Sequence, residues 1–265
     1  MWTFQINSLK KNETYQSFRY KTSLLLAKYP QLYISYTQWR DTVVRRGTTV
    51  GGHLLNWDTD ILIDGFPRSA NTFAVVAFKL SQLPSGVKMA NHRHDPSQVI
   101  AAIYAKVPTL VLLRKPEEAC ISFIIRNCKT QNYSVSILAN FLRKYIQYYQ
   151  PLLPFKDNIV IAKFETVTTN FALPILKINQ IWNRNFGIFN HTKENVDKCY
   201  EEIEKYTKMY LASADDFEAV VSKPSHDRDQ DKQILNRLMA SSEIQDLRDR
   251  ANQIYKYLLN SGNVV

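Results

Sequence analysis

The chain has 265 residues, 45% of them hydrophobic and 22% charged, with 7 Gly and 10 Pro; this is ordinary globular usage over a length that can bury a sizeable core, and it excludes a disordered or collagen-like chain. Lys and Arg number 34 against 24 Asp and Glu, a net charge of +10, and a field of that sign gathers anions such as nucleotides, sulfated or phosphorylated substrates, or nucleic acid. Cys120, Cys128 and Cys199 have neither C-x-x-C spacing nor a nearby His pair, which argues against a disulfide framework or a zinc site and suits a reducing compartment.

Residues 12–46 carry Tyr15, Phe18, Leu25, Tyr29, Tyr33, Tyr36, Trp39 and Val43 at largely helical spacing, interrupted at Pro30. The pattern predicts two helices whose aromatic stripe packs on the main body. The most apolar part, residues 24–27, is flanked by Lys21, Lys28 and Pro30, far short of the ~20 apolar residues of a bilayer span. The expectation is a cytoplasmic protein with no membrane span and no secretion, in which the N-x-S/T triplets at Asn12, Asn132 and Asn190 are chance.

From residue 60 short apolar runs alternate with helical stretches. Strands are predicted at 61–66, 87–90, 109–113 and 159–164, with helices at 71–83, 96–105, 116–129 and 134–150; the last has Leu138, Phe141, Leu142, Tyr145 and Tyr149 on one face. This is βαβα order, hence an α/β fold with a central parallel β-sheet. Helices at 166–185, 192–210, 230–240 and 243–260 follow, with a polar loop at 213–229. With no internal repeat or shift in composition, residues 1–265 are expected to form a single domain: a helical N-terminal part (1–57), an α/β core (58–170) and a helical C-terminal part (171–265).

The first strand runs into Gly65-Phe66-Pro67-Arg68-Ser69-Ala70-Asn71-Thr72-Phe73, the strand, tight turn and helix start of a phosphate-binding loop, in which helix N-terminal amides point at an anion. Against G-x-x-x-x-G-K-[ST], Gly65 and Thr72 fit, whereas Ala70 replaces Gly and Asn71 replaces the Lys that reaches β- and γ-phosphates. The third strand ends in Arg114, where a nucleoside triphosphatase commonly places a carboxylate for magnesium. Arginines rather than a divalent cation are therefore expected to neutralise the bound phosphates.

Together these segments resemble the sulfotransferase family, whose donor is 3'-phosphoadenosine 5'-phosphosulfate (PAPS). Pro67-Arg68-Ser69-Ala70-Asn71-Thr72-Phe73 resembles the family's 5'-phosphosulfate loop, P-[KR]-S-[GA]-[TN]-T-[WF]. Arg114-Lys115-Pro116-Glu117-Glu118-Ala119-Cys120-Ile121-Ser122 is similar to its 3'-phosphate motif, R-[ND]-P-x-[DE]-x-x-x-S, with Lys115 departing from Asn or Asp. The resemblance covers residues 58–170 and implies a P-loop-like sulfotransferase fold with PAPS as co-substrate and no metal. It assigns donor binding to Pro67, Arg68, Ser69, Ala70, Asn71, Thr72, Phe73, Arg114 and Ser122, and gives Arg68 a catalytic share as well.

The family commonly keeps a catalytic base just past the second strand, where this chain has Asn91-His92-Arg93-His94-Asp95-Pro96. His92 fits the distance to Arg114 and His94 fits an H-x-P turn; both stand as candidates, with His94 slightly favoured, and a neutral imidazole suits the task. Arg126 lies one turn beyond Ser122 and could join the 3'-phosphate grip or be an ordinary surface arginine. Phe164-Glu165 resembles a segment whose aromatic helps hold the adenosine. Residues 223–228, ending in Arg228, fall where the family has a basic donor-closing loop, though the usual R-K-G run is absent.

The reading is sulfuryl transfer from PAPS to a hydroxyl of a small-molecule or glycan acceptor, with Arg68 leaning toward a carbohydrate; no nucleic-acid partner is expected, and the oligomeric state is open. The alternatives are a P-loop kinase, which Asn71 and Arg114 disfavour, and a non-catalytic anion- or nucleic-acid-binding module, for which no helix shows a continuous basic stripe.

Overall fold

A computed structural model of the chain describes residues 13–44, 53–82, 86–128, 132–210 and 229–265. Pro30 separates α1 (Glu13–Leu26) from α2 (Pro30–Val44), and it sits at the first helical position, where its missing N–H costs no hydrogen bond. The core then alternates: β1 (Ile61–Gly65), α3 (Asn71–Ser81), β2 (Met89–Asn91), α4 (Pro96–Tyr104), β3 (Thr109–Leu113), α5 (Pro116–Asn127), α6 (Val135–Tyr149) and, after a 3-10 helix at Gln150–Asn158, β4 (Val160–Lys163). Pro96 and Pro116 start α4 and α5, and the Asp95 carboxylate caps α4 by accepting from the Ser97 N–H at 3.0 Å.

The sheet is parallel in the order β2-β1-β3-β4, with Ile63 opposite Asn91, Gly65 opposite Leu112, and Leu113 opposite Lys163. Side chains alternate across it, so both faces are buried. Leu62, Val111, Leu113 and Ile161 share one core with residues of α4, α5, α6 and the last helix, while Ile61, Ile63, Leu110, Leu112 and Val160 share the other with residues of α3 and of the helices Ala172–Trp182 and Lys193–Tyr210. The chain leaves β1 toward one face and β3 toward the other, which opens a crevice at the carboxyl ends of these adjacent strands, where open α/β sheets bind ligands.

The helical C-terminal part contains α7 (Phe164–Thr169), α8 (Ala172–Trp182), α9 (Lys193–Tyr210), α10 (Asp229–Met239) and α11 (Gln245–Leu259). The single helix expected at 166–185 is two, because Asn170 is out of helical conformation at φ −154° and Asn183 closes α8 in the left-handed region at φ 49°. The second strand is shifted to end at Asn91. A pairing not expected from the sequence joins the last residues to β4: the Ile161 N–H donates to Asn263 O, the Lys163 N–H to Val265 O, and the Val265 N–H to Ile161 O at 2.9–3.0 Å.

The N-terminal stripe needs a larger correction. Of its residues with described side chains, Tyr33 is buried, but Phe18, Leu25, Tyr29 and Trp39 are all more than half exposed. Helical spacing identifies the helix and not which side meets the core; Ser23, Ala27, Ile34 and Thr37 do that. Among the described residues no helix is long and apolar enough to cross a membrane.

Candidate functional site

The loop from Gly65 to Ala70 leaves the end of β1 and enters α3 without any side-chain cap on the helix N-terminus. Arg68 and Ala70 both take left-handed backbone conformations, at φ 70° and 66°, which costs about 1–3 kcal/mol for each non-Gly residue and persists where surrounding bonds over-determine the loop. Those bonds are present: the Ser69 N–H donates to Phe66 O at 3.2 Å, Asn71 Nδ2 to Phe66 O at 2.9 Å, and the Phe66 N–H to the Tyr149 hydroxyl at 3.2 Å. Tyr149 in turn donates to Leu112 O at 2.6 Å, so one buried phenol from α6 joins the tips of β1 and β3.

Gly65 is required by close approach. A Cβ there would lie 2.5 Å from Leu112 O and 2.9 Å from Leu112 Cβ. Gly65→Ala is expected to destabilise the fold by about 1–3 kcal/mol, as overpacking does in a rigid setting, and a urea titration with an unshifted midpoint would contradict this.

The two segments singled out in the sequence meet. Arg68 Nε donates to Ser122 Oγ at 3.0 Å, and Arg114 Nη1 donates to Arg68 O at 3.0 Å. Arg114 is held on three further sides: Tyr145 Oη donates to its carbonyl at 2.8 Å, its Nε lies 3.4 Å from Glu118 Oε2, and its guanidinium stacks over Phe164, with Cζ 3.9 Å from the ring centroid. Arg114 and Ser122 are thus joined through Arg68. Phe164 turns a face to Arg114, a cation-binding role the sequence did not suggest. Pro67, Arg68, Ala70, Thr72, Arg114 and Ser122 are partly exposed, and Ser69, Asn71 and Phe73 are buried. Arg228 and the rest of the 223–228 segment lie outside the described residues.

Both histidines flank this crevice, each at positive φ, 54° for His92 and 51° for His94. His94 Nδ1 lies 2.6 Å from Gly65 O; a carbonyl only accepts, so Nδ1 carries the proton and Nε2 keeps its lone pair. The buried Asp64 carboxylate stands behind the ring, with Oδ1 3.3 Å from Nδ1, and accepts the backbone N–H groups of Gly65, Arg93 and His94 at 2.8–3.3 Å. Asp64 and the tyrosines Tyr145 and Tyr149 are positioning residues that sequence reasoning missed. The available signal for Asp64 was a charged residue inside an otherwise apolar central strand, Ile61-Leu62-Ile63-Asp64.

His92 donates from Nδ1 to Asn91 Oδ1 at 3.1 Å, and its Nε2 is 3.4 Å from Thr72 Oγ1. Burial, reinforced by the charge of His94, pushes its pKa down from the ordinary 6.5 to about 3, against the opposite pull of Asp64. The folded chain therefore leaves His92 neutral while the unfolded chain protonates it below pH ~6.5. Its contribution to stability is complete above that pH and is lost as the pH falls toward about 3. Urea midpoints at pH 7 and pH 5 should differ more in the wild type than in His92→Asn, a residue that tolerates the left-handed backbone; equal differences would contradict the assignment.

The chain matches no protein-family model and no curated protein. Among solved structures it is similar to mouse sulfotransferase SULT7A1 complexed with PAP, over 78% of this chain and 91% of that one, at 10% sequence identity and a TM-score of 0.43.

Proposed function

We propose that this chain is a PAPS-dependent sulfotransferase acting on a hydroxyl acceptor. The observation that carries the reading is the junction of the two motifs: Arg68 on Ser122, and Arg114 on the backbone of Arg68, at the crevice between β1 and β3. The residues fit a donor with phosphates at both ends. An uncapped helix N-terminus, two guanidinium groups and the hydroxyls of Ser69, Thr72 and Ser122 form a donor set for anions. Glu118, 43% exposed, holds Arg114 loosely enough for a phosphate to replace it.

When bound, PAPS supplies the sulfuryl group. Pro67, Arg68, Ser69, Ala70, Asn71, Thr72 and Phe73 would hold its 5' end, Arg114 and Ser122 its 3'-phosphate, and Phe164 would brace Arg114. His94 Nε2 takes the proton of the acceptor hydroxyl, and the Asp64 carboxylate on the opposite side of the ring stabilises the resulting imidazolium. His92, made a poor base by burial, shapes the wall beside Thr72. The arginine in the loop points toward a carbohydrate hydroxyl, and a single domain with a cytoplasmic location completes the reading; the three cysteines are free.

Calorimetry tests it. A nucleotide with 3'- and 5'-phosphates is expected to bind without magnesium and far more tightly than ATP, and Arg114→Ala is expected to weaken it by about 1.5–3 kcal/mol through loss of a charge-assisted contact. Equal affinity for ATP, or a strict magnesium requirement, would favour a kinase instead. Mass spectrometry of glycans and metabolites incubated with the protein and PAPS identifies the acceptor by its added sulfate.

A further inference from the structure

The segment that carries both histidines is held along most of its length. The Asn91 N–H donates to His53 O at 3.0 Å, and the N–H groups of Arg93 and His94 converge on Asp64. At its far end Ser97 Oγ lies 2.6 Å from Asp95 Oδ1, 2.7 Å from Ser23 Oγ of α1 and 3.3 Å from Tyr33 Oη of α2. Between these anchors the chain passes through two left-handed residues, His92 and His94, a conformation that persists in a non-Gly residue only where the surroundings over-determine it. Their rings stand edge to face, 5.8 Å between centroids. Arg93, between them, sends its side chain to α2 instead, where Nη1 lies 3.9 Å from Asp41 Oδ1.

The side chains of Arg93 and Asp41 are only 9% and 15% exposed. A pair so buried regains in attraction about what it loses in hydration, and two apolar side chains of similar volume would join α2 to the core as well or better. What the charges add is direction. A guanidinium drawn to one carboxylate fixes where Arg93 stands, and Arg93 is bonded on one side to His92 and on the other to His94. Its backbone N–H is already on Asp64 at 3.2 Å, so the residue is held through its main chain to β1 and through its side chain to α2. The imidazole of His94 is then kept against Gly65 O, 2.6 Å from Nδ1.

We propose that Arg93 and Asp41 are positioning residues for His94: through their buried ion pair, α2 keeps Nδ1 of the ring on Gly65 O and Nε2 available to the acceptor hydroxyl. The effect on turnover rests on the sulfotransferase reading; the holding of the ring does not, and it is measured without substrate. The test is the double variant Arg93→Met, Asp41→Leu, which keeps two buried side chains of similar size and should hold a urea midpoint close to that of the wild type. Its kcat with an identified acceptor should nevertheless fall about 10- to 100-fold, the scale of loss when a catalytic group is misplaced by about 1 Å. Acceptor KM and the Kd of a 3',5'-bisphosphate nucleotide should stay within about twofold. Labelling the histidines with 15N reports the ring directly. The signal that disappears in His94→Asn should show the Nδ1–H tautomer in the wild type and a mixture with the Nε2–H form in the double variant. Asp41→Asn, which removes the charge with little change of shape, should repeat both effects, and Asp41→Glu, which keeps the carboxylate, should show neither. Wild-type kcat and an unmixed tautomer in the double variant and in Asp41→Asn overturn the proposal and leave the pair a clasp between α2 and the core. So does a loss of nucleotide affinity equal to the loss of kcat, which places the pair in the donor cradle. If the wild type transfers no sulfuryl group, the sulfotransferase reading fails and the tautomer alone decides: a mixture in the variants supports the positioning, and an unmixed form overturns it.

Discussion

Replacing His94 by Ala is expected to lower kcat about 10²- to 10⁴-fold, the usual worth of a positioned general base, while the affinity for a 3',5'-bisphosphate nucleotide stays nearly constant. The split follows from the ring's contacts. His94 is anchored through Nδ1 to Gly65 O and backed by Asp64, so Nε2 is its group available to a substrate proton, and the proposed phosphate grip rests on the arginines. His92→Ala should retain most of kcat, because an imidazole pushed down to about pKa 3 takes up a proton poorly at neutral pH. With an identified acceptor, near-full turnover in His94→Ala together with loss of turnover in His92→Ala would reverse the two roles. Loss of nucleotide affinity in both would place the segment in the binding cradle instead.

The core was legible in the sequence from residues 61–163 because each element there carries its own punctuation. Gly65 ends β1, Asp95-Pro96 and Lys115-Pro116 open α4 and α5, and continuous apolar runs mark strands buried on both faces. The loop at 65–73, Arg114, Ser122 and both histidines stand near one another as their short spacing between successive strand ends led one to expect. What remained hidden depends on partners distant in sequence. Tyr149 serves Phe66 from 83 residues away, Tyr145 serves Arg114 from 31, and the C-terminal Val265 completes the edge of β4. The solvent-facing side of α1 and α2 was misread because an aromatic stripe has the same period whether it meets a core or water. The break at Asn170 was missed although Pro174 follows it, because Val167, Phe171, Ile175 and Ile178 keep helical spacing across it.

Asp64 is where these two classes of information meet, and its replacement by Ala carries the second large effect. The carboxylate is fully buried, and three backbone N–H groups from two segments, Gly65 on one side and Arg93 and His94 on the other, converge on it. In Asp64→Ala all three donors lose their acceptor at once, and the left-handed conformation of His94 loses the bond that holds it. A loss of about 3–5 kcal/mol is expected, because each buried donor left without an acceptor costs about 1–3 kcal/mol, read as a lower urea midpoint with little change in slope. Asp64→Asn keeps one acceptor oxygen with nearly the same volume and separates folding from chemistry: it should recover much of the stability while kcat stays depressed, because a neutral amide cannot balance the charge that His94 acquires. Donor affinity should survive in Asp64→Asn, since Arg68 and Arg114 hold their places through Ser122, Tyr145 and Phe164. If Asp64→Asn restores kcat along with stability, Asp64 holds the loop and takes no share in the proton transfer.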